Sequence, residues 1–188
     1  MEEGTMVIKR TITKDRELDV SRKHFKIGDI LCFELNDGEK VEALAVKQET
    51  DGTVFILVDC LKDEYPMNRE NTTKGGYDAC RLRKVLNSTI IDRFPLEVRE
   101  HMVKIYQDDY LTIPAKADLF GDECWEPMKQ RKNRIAFQGS GTDVWEWYWL
   151  RDVVSATHFA IVNDTGCATY YSASSGCGIR PAFKITNL

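Results

Sequence analysis

The 188-residue sequence predicts an α+β fold. Three observations carry the prediction: alternating apolar and polar residues near both ends, Asp-Gly turn signals between the first such runs, and a switch to a three-and-four period midway. Strands at both ends with two or three helices between them suit a fold whose terminal strands close one sheet.

Taken in order, residues 5–13 set Met6, Ile8 and Ile12 against Lys9, Thr11 and Thr13, the two-residue period of a strand. Ser21 can cap a turn before Phe25-Lys26-Ile27-Gly28-Asp29. Runs 30–35, 41–47 and 54–60 are strand-like and separated by Asn36-Asp37-Gly38 and Thr50-Asp51-Gly52. Asp and Gly tolerate positive φ, so these runs predict an antiparallel meander. Residues 61–76 are polar, contain Pro66 and end in Gly75-Gly76, and read as a loop. Leu82, Val85, Leu86 and Ile90 then fall on one face of a helix over 77–94. Pro95 ends it and suits the start of a second, over 95–105, with Leu96, Val98 and Met102 turned inward. Thr112 and Pro114 open a short third helix closed by Gly121.

Residues 144–150 alternate so that Trp145, Trp147 and Trp149 share one side of a strand and Glu146, Tyr148 and Leu150 the other. Strands over 159–162, 167–171 and 179–185 follow, split by Asn163-Asp164-Thr165-Gly166 and by a Ser/Gly loop reaching Gly178. The expected organisation is an N-terminal strand and extension over 1–24 and a single domain over 25–188.

Composition narrows the function classes. With 26 Lys+Arg against 30 Asp+Glu, bulk attraction to nucleic acid is not expected. A hydrophobic share of 43% is enough to build a core. The longest aliphatic and aromatic run, 54–58, falls far short of the ~20 residues that span a bilayer, so no membrane span is expected. Met1-Glu2-Glu3-Gly4 lacks the basic-then-apolar layout of a secretory signal, and a soluble chain follows as the expectation. Cys32, Cys60, Cys80, Cys124, Cys167 and Cys177 include no CxxC and no close Cys/His pair, so neither metal nor cofactor is predicted. Without an export signal they read as reduced and structural. Cys167 and Cys177, close together in a loop-rich segment, are the one pair left open.

The tail carries a resemblance. Tyr148-Trp149-Leu150-Arg151, Phe159-Ala160-Ile161-Val162-Asn163, Tyr171-Ser172-Ala173-Ser174 and Gly178-Ile179-Arg180-Pro181-Ala182-Phe183 resemble the domain-of-unknown-function family DUF6273, frequent in Gram-positive gut bacteria and their phages. Upstream, Phe25-Lys26-Ile27-Gly28-Asp29, Cys80-Arg81-Leu82-Arg83 with Leu86-Asn87, and Asn133-Arg134-Ile135-Ala136-Phe137 extend it over nearly the whole chain. The tail is also similar to the end of C-type-lectin-like domains, in which a mixed fold presents a variable loop surface. That resemblance implies a C-type-lectin-like fold, binding in place of catalysis, and a bacterial cytoplasmic or phage-virion setting. It implies no calcium-mediated glycan contact, because Glu126-Pro127-Met128 lacks the third oxygen ligand and the acidic run 118–126 matches no calcium loop. The formylglycine-generating relatives use an active-site cysteine pair that maps onto no pair here.

Residues 152–178 contain no Lys, Arg or Glu and are rich in Tyr, Ser, Thr and Asn. Tyr supplies rigid amphipathic area and the small polar residues supply adaptable hydrogen bonds, the mixture of a binding surface. Turn chemistry explains the same residues, and the resemblance favours binding. The candidate ligand contacts are Asp152, Ser155, Thr157, His158, Asn163, Thr165, Tyr170, Tyr171, Ser172, Ser174 and Ser175. Indole area favours core for Trp147 and Trp149 and leaves Trp145 open as core or sugar-stacking wall. Arg151 and Arg180 read as structural, through an ion pair or carbonyl contacts, or as a fork for an acidic ligand. His24, His101 and His158 are far apart, and no nucleophile-elbow, Walker or zincin motif occurs. The expected function is a non-enzymatic module of phage or prophage type that recognises a bacterial surface protein or glycan, with an oligomer possible. A cysteine-dependent enzyme and a structural virion protein are the alternatives.

Overall fold

The computed structural model describes residues 7–10 and 25–186. Strands β1 (Val7–Arg10), β2 (Asp29–Glu34), β3 (Lys40–Gln48) and β4 (Gly52–Leu57) each pair antiparallel with the next; β2 to β4 form the expected meander, and β1 adds a strand to its edge. The remainder of the 1–24 extension, including the Ser21 cap and His24, lies outside the described residues. The two turn glycines serve different ends. Gly38 adopts a left-handed φ of 88°, whereas a Cβ on Gly52 would stand 2.4 Å from the Ile185 carbonyl oxygen, so Gly52 is needed for close strand approach.

The helical middle is more broken than its period suggests. Helix α1 (Gly76–Ala79) stops at an extended Cys80, whose sulfur accepts a hydrogen bond from Arg83 N and so caps α2 (Arg81–Val85). The chain then widens into a π turn over Leu86–Ile90 and tightens over Ile91–Arg93. Leu82, Leu86 and Ile90 are fully buried, so the period marks the inward face even where the helix changes type. The predicted second helix is only α3 (Leu96–Arg99), and Leu96 faces solvent. Met102 and Thr112 instead enter short strands β5 (Met102–Val103) and β6 (Leu111–Thr112), because both segments find ladder partners on the last described strand. Helix α4 (Lys116–Leu119) follows, closed before Gly121.

Strands β7 (Ala136–Phe137) and β8 (Trp145–Glu146) form a hairpin, and β9 (Tyr148–Val153), β10 (His158–Val162) and β11 (Ala168–Ser172) a three-stranded antiparallel sheet in the order β11-β10-β9. Strand β12 (Ala182–Thr186) returns to the first sheet and inserts between β4 and β5. The strands at the two ends of the described chain thus share one sheet, and the fold is mixed α+β with mostly antiparallel sheets. One core gathers Phe33, Phe55, Phe94, Phe183 and Trp149, with Phe55 stacked on Phe183 at 5.7 Å. A second gathers Leu44, Ile56, Tyr148, Leu150 and Val162. Among the described residues no helix is long and apolar enough to cross a membrane.

Candidate functional site

The candidate contacts do not form one surface. On β10 and β11, His158 pairs with Ser172 and Ala160 with Tyr170, so His158, Tyr170 and Ser172 share one face. There the imidazole stands edge-on to Tyr170 with centroids 5.3 Å apart. Ser155 Oγ and Thr157 Oγ1 each lie 2.9 Å from His158 Nδ1. When either hydroxyl donates to Nδ1, the ring proton sits on Nε2. Ser172 Oγ donates to Asn71 Oδ1 at 2.7 Å, and Thr73 Oγ1 to the Ser155 carbonyl, so the 68–75 loop braces this end of the hairpin. Exposed Val153 and Val154 lie beside it.

The other candidates are elsewhere. Tyr171 alternates to the opposite face, packing against Trp149 at 6.1 Å and Trp147 at 5.7 Å. Asn163 Oδ1 accepts hydrogen bonds from Thr165 N, Thr165 Oγ1 and Cys167 N, which locks both residues into the β10–β11 turn. That turn lies the length of β10, about 13 Å, from His158. Asp152 accepts from Lys116 N at the start of α4. Ser174 and Ser175 sit in the turn after β11, where Ser175 N donates to the Ser172 carbonyl.

The tail motif has a different role. Its two halves bond to each other: Gly178 N donates to the Trp147 carbonyl at 2.9 Å and Trp149 N to the Gly178 carbonyl at 3.1 Å. A Cβ on Gly178 would fall 2.4 Å from Glu146 Cγ and 2.6 Å from the Trp147 carbonyl oxygen, so only glycine fits. Arg180, 1% exposed, donates from Nε to the Leu57 carbonyl at 2.6 Å and from Nη1 to the Asn133 carbonyl at 2.9 Å and Tyr148 Oη at 3.2 Å. Trp149 Nε1 donates to the Tyr65 carbonyl. These residues tie the two sheets together. The model of a family described as a domain of unknown function (DUF6273) matches residues 114–187. No curated protein and no solved structure matches the chain.

The matched segment runs from α4 to β12 and supplies one wall of an open depression of about 340 Å³, lined also by Gly75, Gly76, Tyr77, Asp78 and Tyr106. Arg151 stands over the Tyr106 ring at 4.4 Å and pairs loosely with Asp118 at 3.3 Å. Its Nε is buried and has no hydrogen-bond partner among the described residues. Asp78, which accepts from Tyr106 Oη and Gln107 Nε2, has its carboxyl held low by those bonds and by Arg83. Arg83 and Arg151 are thus surrounded by Asp78, Asp109, Asp118 and Asp152, and the depression is no concentrated anion site.

Within the matched segment, the expected core stripe also splits. Trp149 is fully buried, but Trp147 is 40% and Trp145 54% exposed. The strand breaks at Trp147, whose carbonyl accepts from Gly178 N and Cys177 Sγ, and that pairing turns the indole outward onto Tyr171. The residue buried between the two exposed indoles is Glu146; burial raises its pKa, and the Glu64 carboxylate adds to the effect. A carboxylate inside an aromatic run was the available signal, and alternation alone passed over it.

Cys167 and Cys177 lie beyond opposite ends of β11, the first exposed and the second buried, and are not bridged. All six thiols are free. Burial pushes the Cys60 and Cys177 thiols far up and Cys80 to about 11. Among the described residues no group of His, Cys, Asp and Glu is arranged to hold a metal.

Proposed function

We propose that this chain is a non-enzymatic recognition module, a single C-type-lectin-like domain over residues 25–188 after an N-terminal extension. It binds a protein or glycan of a bacterial surface without calcium. The observation that carries the reading is the pair of half-buried His158 and exposed Tyr170, flanked by the Ser155, Thr157 and Ser172 hydroxyls. An imidazole edge, a phenol and three hydroxyls on a braced strand end offer directional hydrogen bonds with little side-chain entropy to lose. Asp152, Asn163, Thr165 and Tyr171 are committed to structural partners, which narrows the surface to this hairpin end. The DUF6273 resemblance supports a phage or prophage setting, either in the bacterial cytoplasm or on a virion. The rival cysteine enzyme needs a thiolate, and burial holds Cys60, Cys80 and Cys177 protonated.

The test is binding to arrays of glycans and of Gram-positive cell-surface material, comparing the parent with a His158→Ala/Tyr170→Ala double variant. Removing two central contacts should weaken binding by about tenfold or more. No binding by the parent, or equal binding by both proteins, would overturn the proposal.

A further inference from the structure

We infer that the free edge of β11 pairs with a second copy of this chain, antiparallel, with Tyr170 opposite the partner's Tyr170. Strand β11 is the outer strand of its sheet, and among the described residues the backbone of residues 168–171 bonds to β10 alone. Exposed edges are normally blunted by a charge, a proline or a bulge. None is present here: the β10–β11 register runs unbroken, and residues 165–179 contain neither a charged side chain nor a proline.

The occupant follows from symmetry and charge. Antiparallel pairing of two identical edges is related by a two-fold axis perpendicular to the sheet, so the contact is isologous and closes. Because β11 has five residues, an axis at Tyr170 pairs the whole strand. No like charges meet across that axis, and the two Tyr170 rings, each 58% exposed on its own, become a cross-strand aromatic pair. A charged peptide segment would find nothing complementary on this edge. Five residues of edge bury less than the ~1,200 Å² of a tight complex, so the dimer is weak and depends on concentration. The axis keeps faces in register, which sets both His158–Tyr170 faces on the same side of one joined sheet. Two weak contacts then act on a surface as one bivalent contact. Pairing itself needs no ligand, so it stands apart from the proposed recognition function.

The experiment is sedimentation equilibrium of the full chain without ligand, from about 1 to 500 μM, a range that brackets weak association. The mass should rise from monomer toward dimer, and Tyr170→Lys, which sets two ammonium groups opposite each other, should raise the dissociation constant about tenfold or more. In a Cys167→Ser background, Tyr170→Cys should form a covalent dimer on oxidation, a readout independent of how the lysine variant folds. A chain that stays monomeric throughout leaves the edge to some other extended segment and overturns self-pairing. So does a folded Tyr170→Lys that dimerises like the parent. A dimeric parent whose Tyr170→Cys variant does not cross-link overturns the Tyr170-centred register.

Discussion

Arg180 is fully buried yet makes no ion pair among the described residues; its charge is met by two carbonyls, a phenol and the Tyr148 ring 5.3 Å away. A guanidinium can reach Leu57 and Asn133 at once because its donors form a planar fork, and an ammonium cannot. Arg180→Lys should therefore cost about 3 kcal/mol by leaving a buried carbonyl unmet, measured as the shift in urea unfolding free energy. Glu146 works in the opposite direction. Burial raises its folded pKa above the unfolded value, so its contribution is favourable below about pH 4.3 and is lost as pH rises through the folded pKa. Glu146→Gln should then be more stable than the parent at pH 7, with the difference closing by about pH 3 in paired pH-stability curves.

At the scale of elements, β11 separates two neighbouring tyrosines that look equivalent in sequence. Tyr171 packs on Trp147 and Trp149, whereas Tyr170 stands on the open face. Tyr171→Ala should cost about 3 kcal/mol and Tyr170→Ala about 0.5 kcal/mol or less in thermal or urea unfolding. The alternation that separates them was readable once 167–171 was taken as a strand. The contact between His158 and Tyr170 was not, because it depends on hairpin register set by the Asn163 turn. The same division holds elsewhere. The meander was legible because each run alternates or is apolar and ends at a turn signal. The end of the helix predicted over 95–105 was not, because Met102 exchanges helical bonds for ladder bonds to β12, a partner some 80 residues away. Of the candidate residues, composition could not distinguish a turn-locked Asn163 from Tyr170 on the open face of the hairpin.

At the scale of the molecule, one charge cluster gives stability a pH dependence. Lys184, nearly buried in the middle of β12, meets Glu49 at 3.0 Å and Asp51 at 2.9 Å across the β3–β4 turn. Bonds from Lys47 and Lys184 hold the Glu49 carboxyl below its usual range, and Lys184 does the same for Asp51. Depressed carboxyl pKa values contribute stability that is full above the unfolded values, about 4, and lost as pH falls through the folded ones. Lys184→Met should make the acid limb of the stability curve shallower, with little change in slope above about pH 6, as urea titrations across pH would show.

The placement of β12 also governs the order in which the molecule can be made. Its ladder to β4 joins residues 52–57 with 182–186, and its other edge holds β5 and β6. Until those five residues leave the ribosome, β4 has an open edge and Phe55 lacks the Phe183 ring that covers it. The larger sheet therefore cannot close until residues 182–186 have been made, and a chain broken off upstream of β12 is a substrate for proteases and chaperones, not a smaller version of the fold.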